Sequence, residues 1–462
     1  MTPLLALTPI VLAIALLVFK QSSWIAAAAG VIAACLAVIL FFPTPISVLL
    51  ESGADYFPLI LEVALILLFG MVLARLLESS GSMGEISAWV EAAAPSRALG
   101  VGLVVFGLVP FAESVTGFGI GVTIGVPVLR LLGCSLRQSA ILGLLGLIAV
   151  PWGALGPGTT VAAALTGINV DDLGVATAWI NAIPVIIVAT SVILVMRPAL
   201  SSCLGIIAAA ALMWTGILAA NILIGMAPAG IIGSLLVIAV MGTLFIIRRR
   251  RTGFTRQLGL AVLPYTTLTV GLLLARALES AVPSLVTQIV ASPPFWLAAA
   301  CVIAALRVTS RGAVTSAALR SWLPIGAGTA AFMLMGWIMT TTGMSASIGT
   351  LVPAGLVLFT PWLTAVGAIV TGSNTGANSM FTGTIDAVAT ASHVSSLPVV
   401  AAGNAAASLA ALAAPPRVAM SVQMADPSSP ASANDIAWVQ GRALTVAGIN
   451  AVALGLWIQF MV

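Results

Sequence analysis

Apolar residues run along this chain in stretches of about twenty, separated by short polar breaks. An α-helix needs about that length to cross a hydrocarbon core of about 30 Å. Such runs lie near 3–19, 24–42, 56–77, 139–165, 173–196, 203–224 and 230–247. A second series lies near 257–276, 294–308, 322–342, 398–425 and 436–460. Two further apolar stretches, 98–133 and 346–391, are each interrupted by a segment rich in Gly, Ser, Thr and Asn. They read as re-entrant hairpins, entering and leaving on one face. The pattern predicts an all-α polytopic membrane protein with about 12 transmembrane helices plus two re-entrant hairpins.

The basic residues orient this scheme. No Lys or Arg precedes Pro3, so the first run reads as a retained span with its N-terminus outside rather than a cleaved leader. Lys20, Arg75, Arg97, Arg130, Arg137, Arg197, Arg248, Arg249, Arg250, Arg251, Arg256, Arg307, Arg311 and Arg320 then face the cytoplasm. That is fourteen of seventeen, the others being Arg276, Arg417 and Arg442. Glu51–Asp55 and Asp171–Asp172 fall outside. The positive-inside rule holds only if both interrupted stretches are re-entrant, because counting either as a full span inverts everything after it. RRRRTGFTR at 248–256 reads as the signal fixing this orientation, with anionic headgroups as its other reading.

The halves repeat. FAESVTGFG (Phe111–Gly119) is followed about 40 residues on by a broken helix at VPWGALGPG (Val150–Gly158), then a full span. TGSNTGANS (Thr371–Ser379) is followed at the same interval by AAPPR (Ala413–Arg417), then a full span. Three spans precede each hairpin. Residues 1–200 thus form a first repeat, with its hairpin at 98–133 and broken helix at 139–165. Two linking helices and the basic loop occupy 201–256. Residues 257–462 form a second repeat, with its hairpin at 346–391 and broken helix at 398–425. An odd number of crossings before the second repeat inverts it. Inverted repeats with paired discontinuous helices are the mark of a secondary transporter with its site at mid-membrane.

Composition removes the other classes. Thirty charged residues in 462, with 61% hydrophobic, exclude a soluble enzyme, a nucleic-acid binder and a disordered scaffold. Cys35, Cys134, Cys203 and Cys301 have no metal-ligand spacing and read as small core residues. No cofactor or metal is implied. One histidine, His393 in an outer loop, supplies no base for a membrane-embedded hydrolase.

Candidate chemistry gathers at the tips. Backbone that leaves the helix cannot face lipid, so the tips are buried or line a wet cavity. Ser114, Thr116, Gly117, Phe118 and Gly119 in the first tip, and Thr371, Gly372, Ser373, Asn374, Thr375 and Asn378 in the second, offer hydroxyls, amides and close backbone approach. The alternative is that these small residues only let helices pack tightly. Trp152 and Gly153 in the first broken helix would wall the cavity. Arg417 in the second broken helix suits a substrate carboxylate, or else pairs permanently with Glu113. Glu113, Asp386 and Glu62 are candidate proton carriers, each with a structural alternative.

Three segments resemble the lactate permease family, bacterial carriers for L-lactate, D-lactate and glycolate. They are FAESVTGFGIGVTIG (Phe111–Gly125), WGALG with TGINVDDLG (Trp152–Gly174) and VTGSNTGANSMF (Val370–Phe381). Order and spacing agree from about residue 56 to the end. Through that family the chain resembles the ion-transporter superfamily, whose members carry small organic anions with protons or sodium, often by an elevator movement. The resemblance implies proton symport of 2-hydroxymonocarboxylates in a bacterial inner membrane, with sodium coupling, a dicarboxylate or small sulfonate substrate, and a passive anion channel as alternatives. The apolar surface leaves room for a homodimer. Two departures stand out. Asn374 occupies a position where several members have Asp, and Pro416–Arg417 replaces an expected uncharged stretch. Both shift local charge toward anion affinity.

Overall fold

The computed structural model describes residues 2–117, 119–249 and 255–461. Phe118 of the first tip, and Arg250 and Arg251 of the basic loop, lie outside the described residues. Those described form helices and connecting turns, with no strand among them. Among the described residues eleven helices are long and apolar enough to cross a membrane, and a pair, Leu285–Ala291 and Pro293–Ala305, bent by 55° at Ser292, makes twelve if taken as one span. The predicted span near 294–308 is therefore the second limb of a longer, bent element. The first predicted span is two helices, Thr2–Ala6 and Thr8–Val18, parted at Leu7 just before Pro9. The third is longer than its apolar run, at 34 residues (Ile46–Ser79).

Both interrupted stretches are helical hairpins. The first joins Arg97–Thr116 to Ile120–Leu131, and the second joins Thr360–Thr371 to Asn374–Ala391. Each contains a 12-residue arm. At 1.5 Å per residue such an arm reaches about 18 Å, short of the about 30 Å core, so each tip stops inside the membrane. Gly117 turns the first tip at φ 72°, where a side chain would also strike Ala154 Cβ at 2.7 Å. The broken helices lie where their prolines and glycines predict. One is Leu136–Leu145, a 3-10 stretch Gly146–Leu155, and Pro157–Thr166; the other is Ser396–Ala410, Ala411–Ala413 and Pro415–Ala425. Proline suits the first turn of each outgoing half-helix, where its missing N–H is not needed.

Packing groups these elements into two sets, which meet along Arg311–Thr341 and Asn374–Ala391. The leading helices of both repeats pack together: Arg311–Thr341 lies against Ser23–Phe41 and Ile46–Ser79, and Pro293–Ala305 lies between Ile46–Ser79 and Arg256–Ala281. The hairpins and broken helices form the other body, interleaved across the repeats. Asn374–Ala391 of the second hairpin packs on Pro157–Thr166 of the first broken helix. Pro415–Ala425 of the second broken helix packs on Ile120–Leu131 of the first hairpin. The linking helices Leu200–Leu223 and Ala229–Arg249 pair and join this body. An amphipathic helix, Ser82–Ala93, connects the bodies along Arg256–Ala281 and is absent from the apolar runs read in the sequence.

Candidate functional site

Both tips and both helix breaks meet at one place. Four helices begin there: Ile120–Leu131, Pro157–Thr166, Asn374–Ala391 and Pro415–Ala425. The last three border a cavity of about 30 Å³ whose lining includes Glu113, Gly117, Gly153, Pro157, Gly158, Ser373, Asn374, Thr375 and Arg417. Space of that size holds about one water. The chain beside it is strained, with Ala154 at φ 38° and Leu155 at φ 67°, a conformation non-glycine residues adopt at a cost of order 1–3 kcal/mol each.

The electrostatics favour an anion. Each helix N-terminus carries about half a positive charge, so with Arg417 set against Glu113 the three bordering N-termini leave roughly one and a half positive charges facing the cavity. Glu113 is 2% exposed and acts as the cap of the first tip. Its two carboxylate oxygens each accept the Gly119 N–H at 2.9 Å, and Oε2 also accepts the Gly121 N–H at 3.4 Å. Ser373 caps the second tip, its hydroxyl accepting the Gly376 N–H at 3.1 Å. Arg417 is buried at 9% exposure, and its Nη1 has no hydrogen-bond partner among the described residues. No ion pair within 4 Å joins it to Glu113.

Other predicted residues face elsewhere. The Ser114 side chain turns toward Gly230 of a linking helix. Thr116 and Thr371 donate back to the carbonyls of Ala112 and Gly367, at 2.6 and 2.7 Å. Trp152 is fully buried, and its Nε1 donates to Asn221 Oδ1 at 3.3 Å, so it braces the broken helix from behind. Asp386 stands twelve residues beyond Asn374 on the same helix, about 18 Å along its axis, and does not line the cavity.

Asn404, which the sequence reading passed over, is the hub of a buried polar network. Its Oδ1 accepts the Nδ2 groups of Asn374 at 3.0 Å and Asn378 at 2.9 Å. Its own Nδ2 donates to the hydroxyls of Thr159 at 2.9 Å and Thr177 at 3.2 Å. Asn378 also donates to Asn374 Oδ1 at 3.1 Å, so it supports Asn374 rather than lining the cavity. The network ties the second tip to the first broken helix. Its only trace in the sequence is one asparagine in an Ala-rich run.

Two larger cavities flank the site. One, of about 310 Å³, reaches from Trp24 and Phe332 to Thr371, Gly372, Ser373 and Arg417. The other, of about 180 Å³, is lined by Glu62, Asp171, Arg276 and Pro157, the last shared with the central cavity.

The L-lactate permease family matches residues 2–257, or 256 of 462, and the chain belongs to that family. The match ends at the start of Arg256–Ala281, and the remaining helices follow it. No curated protein matches the chain. Among solved structures, the YdaH transporter of Alcanivorax borkumensis aligns at 17% identity with a TM-score of 0.44, over 89% of this chain and 87% of that one.

Proposed function

We propose that this multi-pass member of the L-lactate permease family carries small 2-hydroxymonocarboxylates, such as lactate or glycolate, across a bacterial inner membrane together with a proton. The observation that carries this reading is Arg417. It is a buried guanidinium whose Nη1 lacks a partner, set among four helix N-termini. A guanidinium grips a carboxylate through two parallel N–H bonds. Ser373, Asn374 and Thr375 supply polar groups across the cavity for a 2-hydroxyl.

The flanking cavities give the route. By the positive-inside orientation, the Arg417 cavity opens toward the cytoplasm and the Glu62 cavity toward the exterior. A centre holding about one water must widen to admit substrate. The two-body packing supplies a way: the hairpin body slides past the body of leading helices and exposes the site to each side in turn.

Coupling follows from charge. Bringing one anion in against a negative-inside potential costs about 2.3 kcal/mol per 100 mV, and a co-transported proton removes that penalty. A proton fits better than sodium. The Asn374 and Asn404 side-chain oxygens, the natural sodium ligands at the second tip, are already engaged by amide N–H donors.

Thermal unfolding of the detergent-purified protein with lactate, glycolate, a dicarboxylate and a small sulfonate tests the substrate class, because a ligand that binds only the folded state stabilises it. Stabilisation by lactate or glycolate, stronger at pH 5.5 than at 7.5, is expected. Stabilisation only by the dicarboxylate or sulfonate would assign the substrate to those anions and remove the hydroxy-acid reading.

A further inference from the structure

The cavity bearing Glu62 has chemistry of its own. Glu62 comes from Ile46–Ser79 and Arg276 from Arg256–Ala281, both among the leading helices. Asp171 faces them from Val170–Ile180, a helix packed on Ser396–Ala410 of the second broken helix, and its Oδ1 accepts the Met226 N–H at 2.8 Å. These three are the charged groups lining the cavity, and the remaining elements contribute apolar residues and Thr160. Arg276 Nε is buried and has no acceptor among the described residues. Glu62 lies close enough to act on Arg276 through space, yet no ion pair within 4 Å joins them. The space between is about 180 Å³, several waters in size. A cation and a carboxyl thus face each other across a gap that neither fills.

We propose that this cavity is a second carboxylate site, at the external mouth, where Arg276 binds the incoming substrate's carboxylate and Glu62 makes that binding depend on a proton. With Glu62 and Asp171 both ionised, the cavity carries a net negative charge and repels an anion. When Glu62 takes a proton from the external water, the lining becomes neutral overall. Its O–H can then donate to the carboxylate that Arg276 holds. One proton and one carboxylate enter together, beside Pro157, which also lines the central cavity. Asp171 keeps its backbone N–H partner throughout. The inference rests on the carboxylate-carrier reading and adds to it a place where the proton and the substrate first meet.

The test is lactate uptake into right-side-out membrane vesicles, with external KM measured from pH 5.5 to 7.5 for the wild type and for Glu62→Gln, Arg276→Gln and Arg276→Lys. Wild-type KM is expected to rise by roughly tenfold across that range as external carboxyls ionise. Glu62→Gln, a neutral mimic of the protonated acid, should hold a low KM at pH 7.5 and flatten the profile. Arg276→Gln should raise external KM at least about tenfold, with partial rescue by Arg276→Lys, which keeps charge but not the bidentate fork. KM for lactate leaving from the inner face should stay within twofold, which a general folding defect would not allow. If Glu62→Gln keeps the wild-type pH profile, or both Arg276 variants keep the wild-type external KM while lactate is still carried, the second site does not exist and the carrier reading survives. If the wild type carries neither lactate nor glycolate, both readings fall together.

Discussion

Arg417→Met separates binding from stability, because the two should move in opposite directions. The guanidinium is buried and its Nη1 is without a partner. Replacing a buried ion pair outright with apolar side chains is neutral or stabilising by about 1–4 kcal/mol, whereas removing one member of a pair costs about 3–5 kcal/mol; Arg417 has no ion pair within 4 Å, so its removal should follow the first sign. The ligand term has the other sign. Two charge-assisted hydrogen bonds at about 1.5 kcal/mol or more each amount to at least about 3 kcal/mol, a loss of more than about a hundredfold in affinity. Thermal unfolding with and without lactate reads both quantities. Unliganded Arg417→Met should melt above the wild type, and lactate should no longer raise its melting temperature. Arg417→Lys should recover the charge but only part of the binding. A variant that melts lower than the wild type and still responds to lactate would refute the reasoning, since Arg417 would then be a structural residue.

Asn404→Ala should destabilise the protein by about 2–4 kcal/mol in thermal unfolding and slow lactate exchange. It leaves the Asn374 Nδ2 without its acceptor, a buried orphan costing about 1–3 kcal/mol, and it removes the tie to Thr159 and Thr177. Gly336→Ala sets a methyl 2.0 Å from the Ser379 carbonyl oxygen, where the two bodies touch. A loss of about 1–3 kcal/mol and slowed transport are expected. Gly441→Ala, which meets nothing within 4 Å, should be neutral or stabilising by up to about 1 kcal/mol. The Cys134 thiol, in the turn between Leu131 and Leu136, is pushed up by burial, against the opposing charges of Arg97 and Arg130. The thiolate is the reactive form, so maleimide should label Cys134 slowly in the folded protein at pH 7.5. Rates should rise at higher pH and on unfolding.

The hairpins, the helix breaks and their repetition were legible in the sequence because each leaves a local mark. Gly, Ser, Thr and Asn interrupt the apolar run at 117–119 and 371–375, and proline interrupts it at Pro157 and Pro415. Basic residues then set the direction of each crossing. Arg417 and Glu113 stood out as ionisable groups within apolar stretches, and the fold brings both to the central cavity. Rotation about a helix axis leaves no such mark. Ser114 and Gly117 lie in one motif, yet Gly117 lines the cavity while Ser114 faces a linking helix whose register depends on distant packing. Asn404 was illegible for the same reason. Two of its partners, Thr159 and Thr177, lie 245 and 227 residues away. Ser82–Ala93 carries Glu85 and Glu91, so it forms no continuous apolar run and left no span-length signal.

The central claim is that a small carboxylate is moved together with a proton through the Arg417 site. Labelled lactate uptake into proteoliposomes, driven by an inward proton gradient with and without sodium, measures it most directly. Accumulation that a protonophore abolishes, that sodium leaves unchanged and that Arg417→Met loses is expected. Equilibration without accumulation, accumulation that requires sodium, or full accumulation by Arg417→Met would contradict it.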